Sequence, residues 1–406
     1  MVACTDLGIA CRNLWKLRNN TRMDTHIRQS LDAFSGKASE YPCWVITFSG
    51  GKDSMTTLSL VYWAITRRMV DIPKVVAVLH SDTGQEYPWV EERSQRVMEA
   101  VAGKGWYAKT VRPEIAKRFY PTVLGRGVLP VHPGFKGRWC TRQLKVDPMQ
   151  QVMRQLHEEH GRLLVVTGVR LGESESRDAK LEKSRERSIA ASCSQGGECG
   201  LGVWLDKDVG DYYDALPAIV HWKECQVFDW LKDQSAHHPR YRHDLADYCA
   251  DVYRLYRPSE VDDEAVTGMR FGCVGCPAIQ RDKTLEKYVQ AEPKYAPFLK
   301  LHAVWGRMRW AGERKIHLVA GTLGPLTIPA RKRFRQEIAT IEQEAGIPLI
   351  SPEEDDVIKA MWNANVWPRG WTGNEPDAST SRLPLLVPQL TEDDQMWHRK
   401  QDKAGS

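Results

Sequence analysis

The 406-residue sequence predicts an α/β fold: a parallel, twisted sheet with helices on both faces, followed by a mainly helical C-terminal region. Three observations predict it. Apolar runs of strand length recur at 44–48, 74–80, 107–111 and 163–168 with helix-length stretches among them, and strands alternating with helices pair in parallel. The first run gives way to Ser49-Gly50-Gly51-Lys52-Asp53-Ser54 and a helical pattern, an order that turns backbone N–H groups onto an anion. From about residue 236 onward the pattern is helical and irregular.

Taken in order, residues 1–40 read as an amphipathic helical segment with a turn at Ser35-Gly36-Lys37. Trp44 to Phe48 reads as a buried strand and Lys52 to Arg68 as a helix. Lys74 to His80 is the second strand, closing in Ser81-Asp82-Thr83-Gly84. A helix over 91–101 leads to the third strand, Tyr107 to Val111. Gln143 to His160 reads as a helix, Leu163 to Gly168 as the next strand, and Asp178 to Glu198 as charged and loop-like. Tyr213 to Ile219 and a helix over 225–232 complete a sheet-bearing domain expected over 41–235. A helical region follows over 236–366, and Pro, Gly, Ser and Asp beyond Trp367 mark a loosely attached tail, 367–406.

Composition narrows the function classes. No apolar run approaches the about 20 residues of a membrane span, and Asp6 and Arg12 interrupt any leader, so a cytoplasmic protein is expected. The net charge of +5 is unevenly placed, with Arg331-Lys332-Arg333-Phe334-Arg335 late and Glu353-Glu354-Asp355-Asp356 soon after. Such basic clusters suit nucleic-acid phosphates and solvated helix faces alike. Ten cysteines without an export signal point to metal or redox chemistry for some of them.

The glycine-paired loop is the strongest local signal. Ser49 and Ser54 add hydroxyl donors, the helix N-terminus adds a partial positive charge, and Lys52 adds a full one. The spacing differs from the Walker pattern because Ser49 stands directly before the glycines. Asp82 ends a strand where open α/β sheets bind ligands, and its carboxylate suits Mg2+ or a ribose, although a strand-ending turn explains it equally well. Past Gly168, Arg170 and Arg177 are candidate phosphate clamps, with surface ion pairing as the alternative. Cys273-Val274-Gly275-Cys276 has the spacing of a metal knuckle, with Cys140 its remote partner. Cys199 or Cys193 competes for a fourth position, and thiolate softness does not separate zinc from a 4Fe-4S cluster. Cys4, Cys11, Cys43, Cys225 and Cys249 read as small buried apolar residues.

The loop, Ser81-Asp82-Thr83-Gly84, Gly168-Val169-Arg170 and the 217–231 segment resemble the phosphoadenosine-phosphosulfate (PAPS) reductase branch of the PP-loop ATP pyrophosphatases, which have the adenine nucleotide α-hydrolase-like fold. Leu124-Gly125-Arg126-Gly127, Arg138 to Lys145, Arg270 to Cys276, Gly324-Pro325-Leu326-Thr327 and Pro348-Leu349-Ile350-Ser351 look like the DndC family of DNA phosphorothioation, with SspD-type relatives, over roughly 40–365. The resemblance implies that Phe48 and Ser49 to Ser54 bind ATP, and that Cys140, Cys273 and Cys276 ligate a 4Fe-4S cluster. The expected enzyme is an AMP- and pyrophosphate-forming sulfurtransferase. Lys52, Asp53, Asp82 and Arg170 are expected to be catalytic, with Mg2+ at Asp82 or Asp53. DNA is expected along Lys136, Arg138, Arg142 and Lys145, with a cysteine desulfurase and other phosphorothioation subunits as partners. Two departures stand out. Residues 257–269 lack the extra cysteine of DndC-like proteins, and 277–406 lack the C-terminal Glu-Cys-Gly nucleophile of PAPS reductases, which Glu198-Cys199-Gly200 mimics mid-chain. Sulfonucleotide (PAPS or APS) reduction and tRNA thiolation are the alternatives.

Overall fold

The computed structural model describes residues 21–133, 137–172, 178–179, 181–186, 203–235, 241–256, 272–317 and 321–378. The chain forms two compact units. Met1–His80, Glu92–Thr110 and Gln151–Arg257 make up the first, and Ser81–Glu91, Val111–Gln150 and Pro258–Ser406 the second. The division is thus discontinuous in sequence.

The first unit carries the sheet. Helix α1 (Thr21–Phe34) precedes β1 (Cys43–Phe48), which runs into α2 (Lys52–Thr66). Next come β2 (Val75–Ser81), α3 (Pro88–Gly103), β3 (Tyr107–Val111), α4 (Asp147–His160) and β4 (Leu163–Thr167). An edge hairpin of β5 (Asp206–Gly210) and β6 (Tyr213–Pro217), then α5 (Glu224–Ser235) and α6 (Ala246–Leu255), complete it. The strand order is β3-β2-β1-β4-β6-β5. Strands β2, β1, β4 and β6 pair in parallel, and β5 alone runs antiparallel, against β6. In register Cys43 faces Val75 on one side and Leu163 on the other. The sheet has helices on both sides, as the near-continuous burial of β1 and β4 requires. Helix α2 is buried almost all round, a central helix rather than an amphipathic one.

Two polar knots lie inside this unit. Buried Asp214 on β6 accepts the Tyr41 hydroxyl at 2.5 Å and the Arg162 guanidinium at 2.6 and 3.0 Å. Buried His243 sits among Tyr62 and Trp230, and its Nδ1 accepts the Leu245 N–H at 3.0 Å. Burial is the main reason its pKa drops to about 4; Arg67 lowers it further and Asp244 opposes. The unfolded chain therefore takes up a proton below about pH 6.5 that the folded chain refuses until about pH 4, and stability falls as the pH falls through that window. His243→Asn, which keeps an acceptor for Leu245, is expected to lose about 3 kcal/mol less than the parent between those limits. Urea unfolding at a series of pH values checks it, and parallel pH curves would refute it.

The second unit is built from α7 (Lys283–Ala291), α8 (Leu301–Arg307), the hairpin β7 (Arg314–Ile316) and β8 (Leu323–Leu326), α9 (Ile328–Ala345) and α10 (Pro352–Asn363). Their ends follow from sequence. Thr327 caps α9, which stops at Gly346 in the left-handed region (φ 64°), and Ser351 with Glu354 forms a reciprocal capping box on α10. Residues 366–378, the start of the expected loose tail, pack here: Ile316 donates to the Pro376 carbonyl and Ala378 to that of Arg314. The arginines of the basic run at 331–335 are engaged within the unit. Arg331 is fully buried, Arg333 pairs with Glu313, and Arg335 bridges Glu342 and Asp355. Among the described residues no helix is long and apolar enough to cross a membrane.

Candidate functional site

In the first unit the chain leaves β1 at buried Phe48, whose carbonyl accepts His80 Nδ1–H at 3.0 Å, and turns through Gly50 at φ 74°. Such a φ requires glycine. Gly51 is the extended N-cap of α2 and offers no capping side chain. Ser54 Oγ fills part of that role: it donates to the Gly51 carbonyl (3.0 Å) and accepts the Ser49 N–H (3.2 Å), so the loop closes on its own helix. Gly168, at the end of β4, has no room for a side chain, because a Cβ would stand 2.8 Å from the Asp53 carbonyl oxygen. Loop and neighbouring strand are thereby locked together.

The charges form one chain, with its two cations buried and its acids half-buried. Lys52 Nζ lies 3.2 Å from Asp53 Oδ2 and 3.3 Å from Glu224 Oε1. Asp53 Oδ1 in turn accepts Arg170 Nε at 2.5 Å, and both Lys52 and Arg170 are about 5% exposed. Arg170, expected as a phosphate clamp, thus meets the loop through Asp53. Tyr256 and Phe228 place their rings 5.2 and 6.0 Å from the Lys52 ammonium. The Tyr256 hydroxyl also accepts the Lys52 N–H at 3.3 Å, and burial raises its pKa, so it stays a neutral group. Glu224, Phe228 and Tyr256 were not singled out by sequence reasoning. Glu224 and Phe228 fall in the 217–231 segment of the resemblance, whereas nothing in the sequence marks Tyr256.

Asp82 belongs to the second unit. Its Oδ2 accepts Arg112 Nε at 2.5 Å and its Oδ1 accepts the Gly84 N–H at 2.8 Å. Asp82, Glu86 and Glu91 each bring a ligand oxygen within 4.8 Å of the others. Glu86 also faces Lys145 at 3.5 Å and accepts the Thr83 hydroxyl and N–H. This turn is joined to the cysteine knuckle, for Val274 N–H donates to the Gln85 carbonyl at 2.7 Å. Trp305 Nε1 fixes the knuckle through the Gly275 carbonyl at 2.7 Å, and Gly275 (φ 55°) leaves Leu301 no Cβ to meet.

Cys140, Cys273 and Cys276 are the three cysteines of this unit, and all are free thiols. Cys276 is lowered to about 7, first by the hydrogen bond from Cys273, with the Ala278 backbone and the Arg138 charge helping. Cys273 is raised by the same bond and by burial. Burial also raises Cys140, and the neighbouring Cys276 adds to the effect. The hydrogen bond thus favours the thiolate at Cys276 over that at Cys273, and a thiolate is a soft metal ligand. These donors fit a cluster held through three cysteines; Cys193 and Cys199 lie outside the described residues. Cys43 and Cys249 are buried as expected, but Cys225 is exposed.

Of the other candidates, Arg177 and Lys136 lie outside the described residues. Arg138 is exposed, Arg142 pairs with Asp147 at 3.4 Å, and Lys145 with Glu86.

The uncharacterized protein MJ0066 of Methanocaldococcus jannaschii is 26% identical over 284 residues, which is 67% of this chain and 46% of that protein. The chain therefore spans about half the length of this relative. A PAPS reductase from Candida auris, solved as a phosphate complex, is similar at 15% identity over 55% of this chain and 85% of its own, with a TM-score of 0.30. The U34-tRNA thiolase NcsA from Methanococcus maripaludis, solved with its 4Fe-4S cluster, is similar at 10% identity over 70% and 78%, with a TM-score of 0.31. Residues 43–277, from the first residue of β1 to the residue after Cys276, match the phosphoadenosine phosphosulfate reductase domain, and the chain belongs to that family.

Proposed function

We propose that the protein is a cytoplasmic, DndC-like ATP pyrophosphatase and sulfurtransferase that acts on a DNA backbone phosphate. A phosphate oxygen of the DNA attacks the α-phosphorus of ATP, the α–β bridge breaks, and pyrophosphate leaves. A sulfur nucleophile then attacks the activated DNA phosphorus, and AMP departs with the oxygen. The reading is supported by one combination: the Ser49–Ser54 loop at the end of a buried strand, and three free cysteines gathered in one unit, two of them at knuckle spacing, in the same chain.

The residues divide the work. Loop N–H groups and the start of α2 receive the β- and γ-phosphates, and Lys52 exchanges Glu224 for the charge that builds there. Arg170 holds Asp53 in place through their 2.5 Å contact. Mg2+ would be held by Asp82 with Glu86 and Glu91, or by Asp53. When bound through Cys140, Cys273 and Cys276, a 4Fe-4S cluster would supply a site for sulfide, set free when a thiol reductant such as excess cysteine reduces the persulfide sulfur that a cysteine desulfurase delivers (the thiol being oxidised to its disulfide), with other phosphorothioation subunits presenting the DNA. Of the four expected nucleic-acid contacts, Arg138 has no carboxylate beside it among the described residues. The family match favours a second reading, reduction of a sulfonucleotide, for which Cys199 would be the nucleophile.

ATP labelled on the α-phosphate, given to anaerobically reconstituted protein with DNA, cysteine and a cysteine desulfurase, is expected to yield AMP and pyrophosphate, more so with DNA than without. Formation of ADP and orthophosphate would refute the proposal, sulfite from PAPS would favour the second reading, and stimulation by tRNA alone would move the acceptor to RNA. Cys140→Ala, Cys273→Ala and Cys276→Ala are each expected to lower bound iron. Full iron in all three would remove the thiol assignment.

A further inference from the structure

Residues 111–150 hold eight Lys and Arg against two acids, a local excess larger than the net charge of the whole chain. The described cations among them are of two kinds. Arg112, Lys117, Arg118, Arg142 and Lys145 each have a carboxylate oxygen within 4.0 Å. Arg126 and Arg138 have none among the described residues. Arg138 already acts on Cys276. Arg126 is half-buried, and its Nε is shut off from solvent without a hydrogen-bond partner. A buried guanidinium N–H left unmatched costs stability, and native chains keep few such donors without a use for them.

The backbone on either side of Arg126 is buried and held from several elements. Trp362 Nε1 donates to the Leu124 carbonyl at 2.7 Å, Arg331 Nη1 to that of Gly125 at 2.8 Å, and Leu326 N–H to that of Gly127 at 2.9 Å. Gly127 has φ 83°, and a Cβ there would lie 2.6 Å from the Arg331 guanidinium. A Cβ at Gly125 would lie 2.5 Å from Met361 Sδ. Arg331 meets carbonyls alone: besides Gly125 it donates to Leu326 (2.9 Å) and Val366 (3.0 Å), and it stacks on Trp367 at 4.0 Å. Elements β8, α9 and α10 therefore converge on Gly-Arg-Gly and present its one side chain.

We propose that Arg126 is an anion contact that takes a backbone phosphate of the DNA strand accepting sulfur. The assignment rests on DNA as the acceptor in the function proposed above. Arg126 is half-buried, with no carboxylate beside it among the described residues, so the exposed part of its planar guanidinium keeps its charge and donors for a phosphate oxygen.

The test is fluorescence anisotropy of a fluorescein-labelled DNA duplex with the full-length protein across a salt series. Arg126→Gln is expected to bind about tenfold more weakly and to lower the slope of log K against log salt by about one, with an unchanged thermal midpoint. Arg126→Lys is expected to recover the slope. If the parent binds DNA and Arg126→Gln matches it in affinity and slope, the Arg126 assignment falls and the acceptor stands. If the parent has no affinity for DNA, the acceptor and the assignment fall together.

Discussion

Lys52→Ala is expected to lower the rate of pyrophosphate release from ATP by about 10²- to 10³-fold, the loss typical of removing one preorganised donor to a developing anion. The fold should tolerate the change. Asp53 keeps Arg170 at 2.5 Å, Glu224 keeps its partial solvent exposure, and the α2 N–H still meets Tyr256. A fall in kcat with an unshifted unfolding midpoint therefore reports chemistry. An undiminished kcat would mean that Lys52 belongs to the charge chain alone, and that the loop does not act on phosphate.

Asp214→Ala is expected to cost about 3 kcal/mol, at the lower end of the range for breaking a buried ion pair, because Arg162 is partly exposed and water can replace its lost partner. Tyr41 has no such relief. Its hydroxyl is buried, gives its proton to Asp214 at 2.5 Å, and is held un-ionised first by burial and then by that bond. Asp214→Asn keeps an acceptor for Tyr41 and should cost less. The midpoint of urea unfolding is expected to fall in that order at constant m-value, and an alanine variant as stable as the parent would show that the knot contributes nothing.

Where the sequence was legible, the signal was local and repeated. Strands β1, β2 and β4 are apolar runs whose burial leaves little choice of structure. The loop was equally plain, because Ser-Gly-Gly-Lys between a strand and a helix names its own geometry. Strand β5 was missed since Asp206-Lys207-Asp208 carries no alternation of apolar side chains, and β7–β8 since Gly324-Pro325 reads as a turn. Helix α4 begins at Asp147 rather than Gln143, after a wider π-helical turn over Arg142–Val146 that apolar spacing does not announce. Charge was the least legible property. Sequence shows that Arg331, Arg333 and Arg335 are cations, but not that one lies beneath Trp367 and the others face acids. In the same way Glu224 stands 172 positions from Lys52, a distance at which no local pattern could have joined them.

The patchwork make-up of the second unit bears on how the protein is made. Its early pieces, 81–91 and 111–150, leave the ribosome more than a hundred residues before 258–378 is synthesised. Until then Glu86 waits for Cys273 and Leu124 for Trp362. The nascent chain must hold apolar segments unpaired in the interval, the kind of exposure that favours chaperone binding and aggregation during synthesis.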